Sequence, residues 1–185
     1  MLWSSYHYKL LALAQQQDSL TASQKKAIQS ILALVHDREQ RINLWGNSGV
    51  GKTFVAHCLD YQAEGLYACS IKNYKAFEFS PNSVVIFDNA PQERKSARLI
   101  FGDVLWAGAA TVILITRKPI NDAVRKVNLS LTTEDAEQFQ KNVHKELGIS
   151  TFELPDQYHF QQTGLWMMLK NIILPNSEKK ENVWV

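Results

Sequence analysis

The eight residues Gly46-Asn47-Ser48-Gly49-Val50-Gly51-Lys52-Thr53 constrain the fold more than any other feature of the chain. They match G-x-x-x-x-G-K-[ST] at every fixed position, and each fixed residue has a physical reason. The glycines let the backbone curl until successive N–H groups converge on one anion, a concavity that side chains would block. Lys52 reaches the β- and γ-phosphates of a nucleotide, and the Thr53 hydroxyl is a ligand for Mg²⁺. A helix that starts at the end of the loop turns its positive dipole end toward the same anion. Such a loop works only between a strand and a helix. The flanks supply both: the apolar run Arg41–Trp45 leads straight into Gly46, and Thr53 to Ala63 reads as a helix.

The other apolar runs then build the rest of a sheet. Leu66 to Ser70, Ser83 to Asp88, Thr111 to Thr116 and Val127 to Leu131 are strand candidates. They are continuous rather than alternating, the pattern of parallel strands covered on both faces. Helical segments lie between them, so the expected class is α/β: an open, mostly parallel sheet flanked by helices. Ahead of the loop, Trp3, Tyr6, Leu10 and Leu13 give a first helix one apolar stripe. Thr21 or Ser23 caps a second, whose buried side holds Ala27, Ile28, Ile31, Leu32, Leu34 and Val35. After Leu131 the strands stop. Thr132 or Thr133 opens a helix that runs to about Leu147, and Thr163 to Leu174 forms another ending at Pro175. The expected organisation is an N-terminal helix (1–20), a nucleotide-binding core (21–131), a small helical lid (132–175) and a polar tail (176–185).

Composition narrows the remaining function classes. With 185 residues, 45% hydrophobic and 21% charged, the chain is an ordinary globular one. A formal net charge of +2 is not the footprint of a dedicated nucleic-acid binder. The two cysteines, Cys58 and Cys69, and the five scattered histidines have no metal-ligand spacing. No apolar run is long enough for a membrane span, so a cytoplasmic protein without membrane contact is expected.

Two strand ends carry further chemistry. Asp88 closes the run Val84-Val85-Ile86-Phe87, where a carboxylate is placed to partner Mg²⁺. The next residue is Asn89, whose amide orients water but cannot accept its proton. Thr116-Arg117 ends another apolar strand, and either a hydroxyl or a guanidinium there can sense a γ-phosphate.

The order of these elements resembles the AAA+ ATPases and the related STAND switch ATPases, and among AAA+ proteins the DnaA and Hda type. The resemblance covers about Leu20 to Leu174 and implies an ATP- and Mg²⁺-binding fold. It places Asp88 at the second acidic motif, Thr116 at sensor 1 and Arg125 near the arginine-finger position. Gly164 to Leu169 would lie on the sensor 2 helix. Two departures from that pattern stand out. Asn89 replaces the usual catalytic acid, and Met167 stands where an arginine normally touches the nucleotide, with Lys170 one turn on. Ile115-Thr116-Arg117 and Gly164-Leu165 also look like STAND motifs.

Charge placement completes the reading. Residues 117–126 hold Arg117, Lys118, Arg125 and Lys126 against Asp122, and residues 91–98 hold Arg94, Lys95 and Arg98 against Glu93. Both segments follow the carboxyl ends of strands, the ligand face of such a sheet, and read either as a solvated face with scattered charge or as a basic rim toward a neighbouring subunit's nucleotide, a protein partner or nucleic acid. Core and lid use up the chain, so the expected function is an ATP-binding switch or loader with weak intrinsic hydrolysis, acting on a protein or nucleic-acid partner or with further copies of itself. The alternatives are a STAND-type signalling or defence ATPase fragment and a non-hydrolysing ATP-binding adaptor.

Overall fold

A computed structural model describes residues 19–63, 66–68 and 79–147. In chain order these form α1 (Ala22–His36), β1 (Arg41–Trp45), α2 (Lys52–Ala63), β2 (Leu66–Ala68), β3 (Val84–Phe87), α3 (Arg94–Trp106), β4 (Thr111–Thr116), β5 (Arg125–Asn128) and α4 (Thr133–Leu147). The strands make one parallel sheet in the order β2-β3-β4-β1-β5. The expected α/β class is therefore the observed one. The first helix (residues 1–18 of it), the helix Thr163 to Leu174 and the tail lie outside the described residues, so of the lid only α4 is in view.

Alternation along each strand divides the core in two. Ile42, Leu44, Val84, Ile86, Ile113, Ile115 and Val127 face α1 and α2, where they pack on Ile28, Ile31, Val55 and Leu59. Val85, Phe87, Val112 and Leu114 face the other way, onto Ala97, Ile100, Phe101 and Val104 of α3 and onto Ile120 of the connection between β4 and β5. Continuous apolar strands are what a sheet covered on both faces requires.

The last strand departs from expectation. It runs Arg125–Asn128, not Val127–Leu131, because pairing with β1 sets its limits. Ile42 is level with Arg125 and Trp45 with Asn128, and beyond Trp45 the glycine loop turns away from the sheet. Only Val127 of its four residues is buried, so an edge strand hid behind polar side chains.

Helix starts follow local chemistry. Thr21, not Ser23, caps α1, through a reciprocal pair in which Gln24 N–H donates to the Thr21 hydroxyl and Thr21 N–H donates to Gln24 Oε1. Thr132 opens α4 in the same way with Asp135. Asp135 also accepts from Ser23 N–H at 2.9 Å, which ties the starts of α1 and α4 together. Burial pushes the Asp135 carboxyl up. Bonds from Ser23, Thr132 and Thr21 outweigh that and hold it below the usual carboxylate range.

Candidate nucleotide-binding site

The glycine loop leaves β1 at the carboxyl edge of the sheet and ends on the first turn of α2. Two of its glycines are required by space. A Cβ at Gly46 would collide with the Leu129 carbonyl oxygen, just past β5. One at Gly51, whose φ is +91°, would collide with the Gln24 side-chain amide. Gln24 is buried and its amide also donates to the Val50 carbonyl at 3.3 Å, so the first turn of α1 braces the loop from below.

Lys52 closes the loop on itself: its ammonium donates to the carbonyls of Gly46 (2.8 Å) and Asn47 (2.7 Å). Burial lowers its pKa, the Asp88 charge works against that, and the Arg117 charge adds to the lowering. Arg117 is thus close enough for its field to reach the loop lysine. Thr53 donates its hydroxyl proton to Asp88 Oδ2 at 2.5 Å, which brings together the two predicted metal partners. Asp88 follows β3 directly and is 6% exposed. Its other oxygen accepts from Asn89 N–H at 2.8 Å, with Asn89 in the left-handed region (φ 53°) that asparagine tolerates. The Asn89 side chain is exposed, and Ala90 returns to the sheet by donating to the Ile115 carbonyl. Glu93, the nearest acid downstream, is the exposed N-cap residue of α3 and accepts from the Ser96 hydroxyl.

Thr116 is level with Trp45, just ahead of the glycine loop, and is already engaged. The Gly46 N–H donates to its carbonyl. Its hydroxyl, 3% exposed, accepts from Asn43 Nδ2 at 2.9 Å and donates to the Lys118 carbonyl at 2.6 Å. That hydroxyl therefore has no proton left for a ligand in this arrangement. Asn43 is the residue the sequence did not single out. Fully buried in mid-strand, it also donates to the Leu114 carbonyl and accepts from Ile120 N–H. It fixes the end of β4 to the strand that carries the glycine loop. The available signal was one polar residue inside an apolar strand.

The expected basic rim is broken up. Arg117 and Lys118 do lie at the carboxyl edge, after β4. Arg125, however, is the first residue of β5, at the amino edge, where its Nε donates to Glu39 at 2.8 Å. A parallel strand that enters at one edge puts the two ends of the 117–126 segment at opposite ends of the sheet. Arg94 and Arg98 are paired with Asp122, Arg98 through two bonds of 2.5 and 2.7 Å. Those two bonds hold the Asp122 carboxyl well below its ordinary range. Cys58 is a buried core thiol pushed up to about 12 by burial. Among the described residues no group of His, Cys, Asp and Glu side chains forms a ready metal cage, and no helix is long and apolar enough to cross a membrane.

No family model and no curated protein matches the chain. Solved structures do. DnaA from Aquifex aeolicus bound to AMPPCP aligns at 14% identity with a TM-score of 0.53, covering 88% of this chain and 65% of that one. A replication initiator DnaA bound to AMPPCP and single-stranded DNA aligns at 13% identity with the same TM-score, covering 84% of this chain and 60% of that one. The chain thus spans less than two thirds of the length of either structure. The likeness shows a shared fold: a parallel α/β sheet with helices on both faces.

Proposed function

We propose that the chain is an ATP-dependent switch that binds ATP and Mg²⁺ at Gly46–Thr53 and Asp88, hydrolyses slowly, and acts on a protein or nucleic-acid partner. One observation carries the reading: the Thr53 hydroxyl and the Asp88 carboxylate meet beside a loop whose lysine is held over it. The residues fit the ligand. Past Gly46, whose N–H is spent on the Thr116 carbonyl, Asn47, Ser48, Gly49, Val50 and Gly51 supply backbone N–H groups. Lys52 supplies the cation for the β- and γ-phosphates, and Thr53 and Asp88 the oxygens for a hard metal ion. Magnesium, when bound, neutralises charge on the β- and γ-oxygens. AMPPCP in the two DnaA structures supports the nucleotide, and the single-stranded DNA in one of them supports a nucleic-acid partner.

Slow turnover follows from Asn89. A general base is worth about 10²–10⁴-fold, and an amide cannot take up the proton of the attacking water. Arg117, with its charge near Lys52, is the better candidate to sense the γ-phosphate than the engaged hydroxyl of Thr116. That assignment agrees with the STAND-like Ile115-Thr116-Arg117 as well as with a DnaA/Hda-type switch. Arg125, at the far edge of the sheet, could serve as a finger only toward a neighbouring copy, so that role requires a homo-oligomer or heterocomplex.

The test is a calorimetric titration of Mg·ATP into the full chain. Lys52→Ala should weaken binding about 10–100-fold, the value of a charge-assisted hydrogen bond or two. Unchanged affinity in that variant would refute the site.

A further inference from the structure

The amino edge of the sheet holds a second concavity, a cleft of about 560 Å³ lined by Arg38, Glu39, Gln40, Arg41, Ala123, Val124 and Arg125. Its size falls in the range of small-ligand sites, roughly 300–1,000 Å³. It lies at the opposite end of the strands from the glycine loop, since Arg41 and Arg125 open two neighbouring parallel strands. Three arginines therefore line one cleft against a single carboxylate.

The arginines are placed by backbone, not by pairing. α1 ends in two bonds, Arg38 N–H to the Val35 carbonyl and Glu39 N–H to the Leu34 carbonyl. This is a helix stop that puts its turning residue in the left-handed region, where glycine is usual. Here that residue is Arg38, at φ 60°. The turn is then stitched to β4 by the Thr111 hydroxyl on the Glu39 carbonyl and by Val112 N–H on the Gln40 carbonyl. Among the described residues, the Arg38 and Arg41 side chains have no hydrogen-bond or ion-pair partner. Arg125 spends only its Nε on Glu39, which leaves both terminal amino groups as donors. A fixed turn thus brings two exposed guanidiniums, Arg38 and Arg41, to the concavity that Arg125 lines from β5.

We infer that this cleft is a binding site for a compact phosphate-bearing ligand, a free phosphomonoester or polyphosphate group distinct from the nucleotide of the glycine loop. Guanidinium forks match phosphate oxygens two at a time. The excess of positive charge calls for a group with at least two negative charges at one point, which a lone carboxylate does not carry. A nucleic-acid strand spreads single charges along its length, about 3.4 Å of rise apart, and suits an extended groove rather than one pocket. Gln40 adds an amide for a neutral part of the ligand, and Ala123 and Val124 an apolar wall.

The experiment uses the full chain carrying Lys52→Ala, so that the outcome does not depend on ATP binding at the loop. Inorganic tripolyphosphate is titrated by calorimetry, with a single-stranded oligonucleotide as the second arm. Saturable uptake of tripolyphosphate, one per chain, is expected, and Arg38→Gly or Arg41→Gln added to that background should each weaken it about tenfold. Arg38→Gly suits the backbone at φ 60°, so loss of fold cannot account for its effect. No saturable uptake, uptake indifferent to both substitutions, or uptake of the oligonucleotide alone would each overturn the assignment.

Discussion

On the two proposals made above, the ends of the sheet would hold anions by opposite means. At the carboxyl end the main chain would do the binding: glycines clear a path for N–H groups, and one lysine and one hydroxyl complete the proposed site. Every residue of that loop is consecutive in sequence. At the amino end the main chain only places the side chains, and three arginines arrive from two distant segments, 38–41 and 125. The first site tolerates almost no change in shape but needs few charges. The second tolerates changes of shape and depends on charge. Backbone sites are therefore broken by adding a methyl group, and side-chain sites by removing a guanidinium.

The largest effect expected from this contrast is at Gly46. Its Cβ position is occupied by the Leu129 carbonyl oxygen, a backbone atom that cannot swing aside. Gly46→Ala should cost about 3 kcal/mol of stability, in the range of forced overpacking, and abolish nucleotide binding. Urea denaturation with a nucleotide titration checks both. A variant with wild-type stability would mean that the loop gives way more easily than its packing implies.

Asn43 comes next, because the loop strand is joined to β4 through it. Asn43→Ala strands the Ile120 N–H and removes the donor to the Thr116 hydroxyl, both buried. About 2 kcal/mol is expected, since a buried polar group left alone costs about 1–3 kcal/mol. The comparison is with Asn43→Asp, which keeps an acceptor for Ile120 but sets a buried carboxyl oxygen against the Leu114 carbonyl, and should therefore cost at least as much as Asn43→Ala. If Asn43→Ala is neutral, the sensor end of β4 is held by its ladder alone.

How much of this was legible in the sequence follows from the same contrast. The loop, Asp88 and the end of β4 are local patterns, and the sheet order brings Thr53 to Asp88. The residues that support them were invisible for a physical reason. Gln24 looks like an ordinary capping partner until Val50 and Gly51 are seen packed on it, and Asn43 looks like a flaw in an apolar strand. β5 was misplaced by two residues at its start and three at its end because an edge strand buries one side chain in four, too few to set a pattern. Of the two readings of the charge over 117–126, the single basic rim fails because a parallel crossover sends the two ends of the segment to opposite edges.

A smaller effect tests how the loop is braced from behind. Gln24 stands in the first turn of α1, and the Asp135 carboxylate ties that turn to α4 by accepting from Ser23 and Thr132. Asp135→Asn sets an amide N–H against one of those donors and should cost about 1–2 kcal/mol at neutral pH. The sign with pH is fixed. A carboxyl depressed in the folded state stabilises above its unfolded value of about 3.9 and loses that contribution as pH falls through the folded value. The gap between wild type and Asp135→Asn should therefore be full at pH 7 and close in acid below about pH 4. Melting curves over that range decide it, and a gap that widens in acid would contradict the bonding described.

The smallest expected effect has the opposite sign and lies at the other end of the sheet. Arg38 holds a left-handed conformation that costs an L-residue about 1–2 kcal/mol, and the two backbone bonds of the helix stop keep it there. Arg38→Gly removes that strain. Part of the gain is returned because glycine loses more freedom on folding, about 0.5–1 kcal/mol. The net should be a stabilisation of about 0.5–1 kcal/mol, since no bond of the Arg38 side chain is given up among the described residues. At the carboxyl end no substitution in the loop is expected to stabilise anything, because its glycines already fit. An increase in melting temperature for Arg38→Gly would mean that this chain carries a guanidinium at its amino edge at the expense of its own stability. A decrease would mean that the side chain holds the turn, and the strain at φ 60° would then be repaid within the fold.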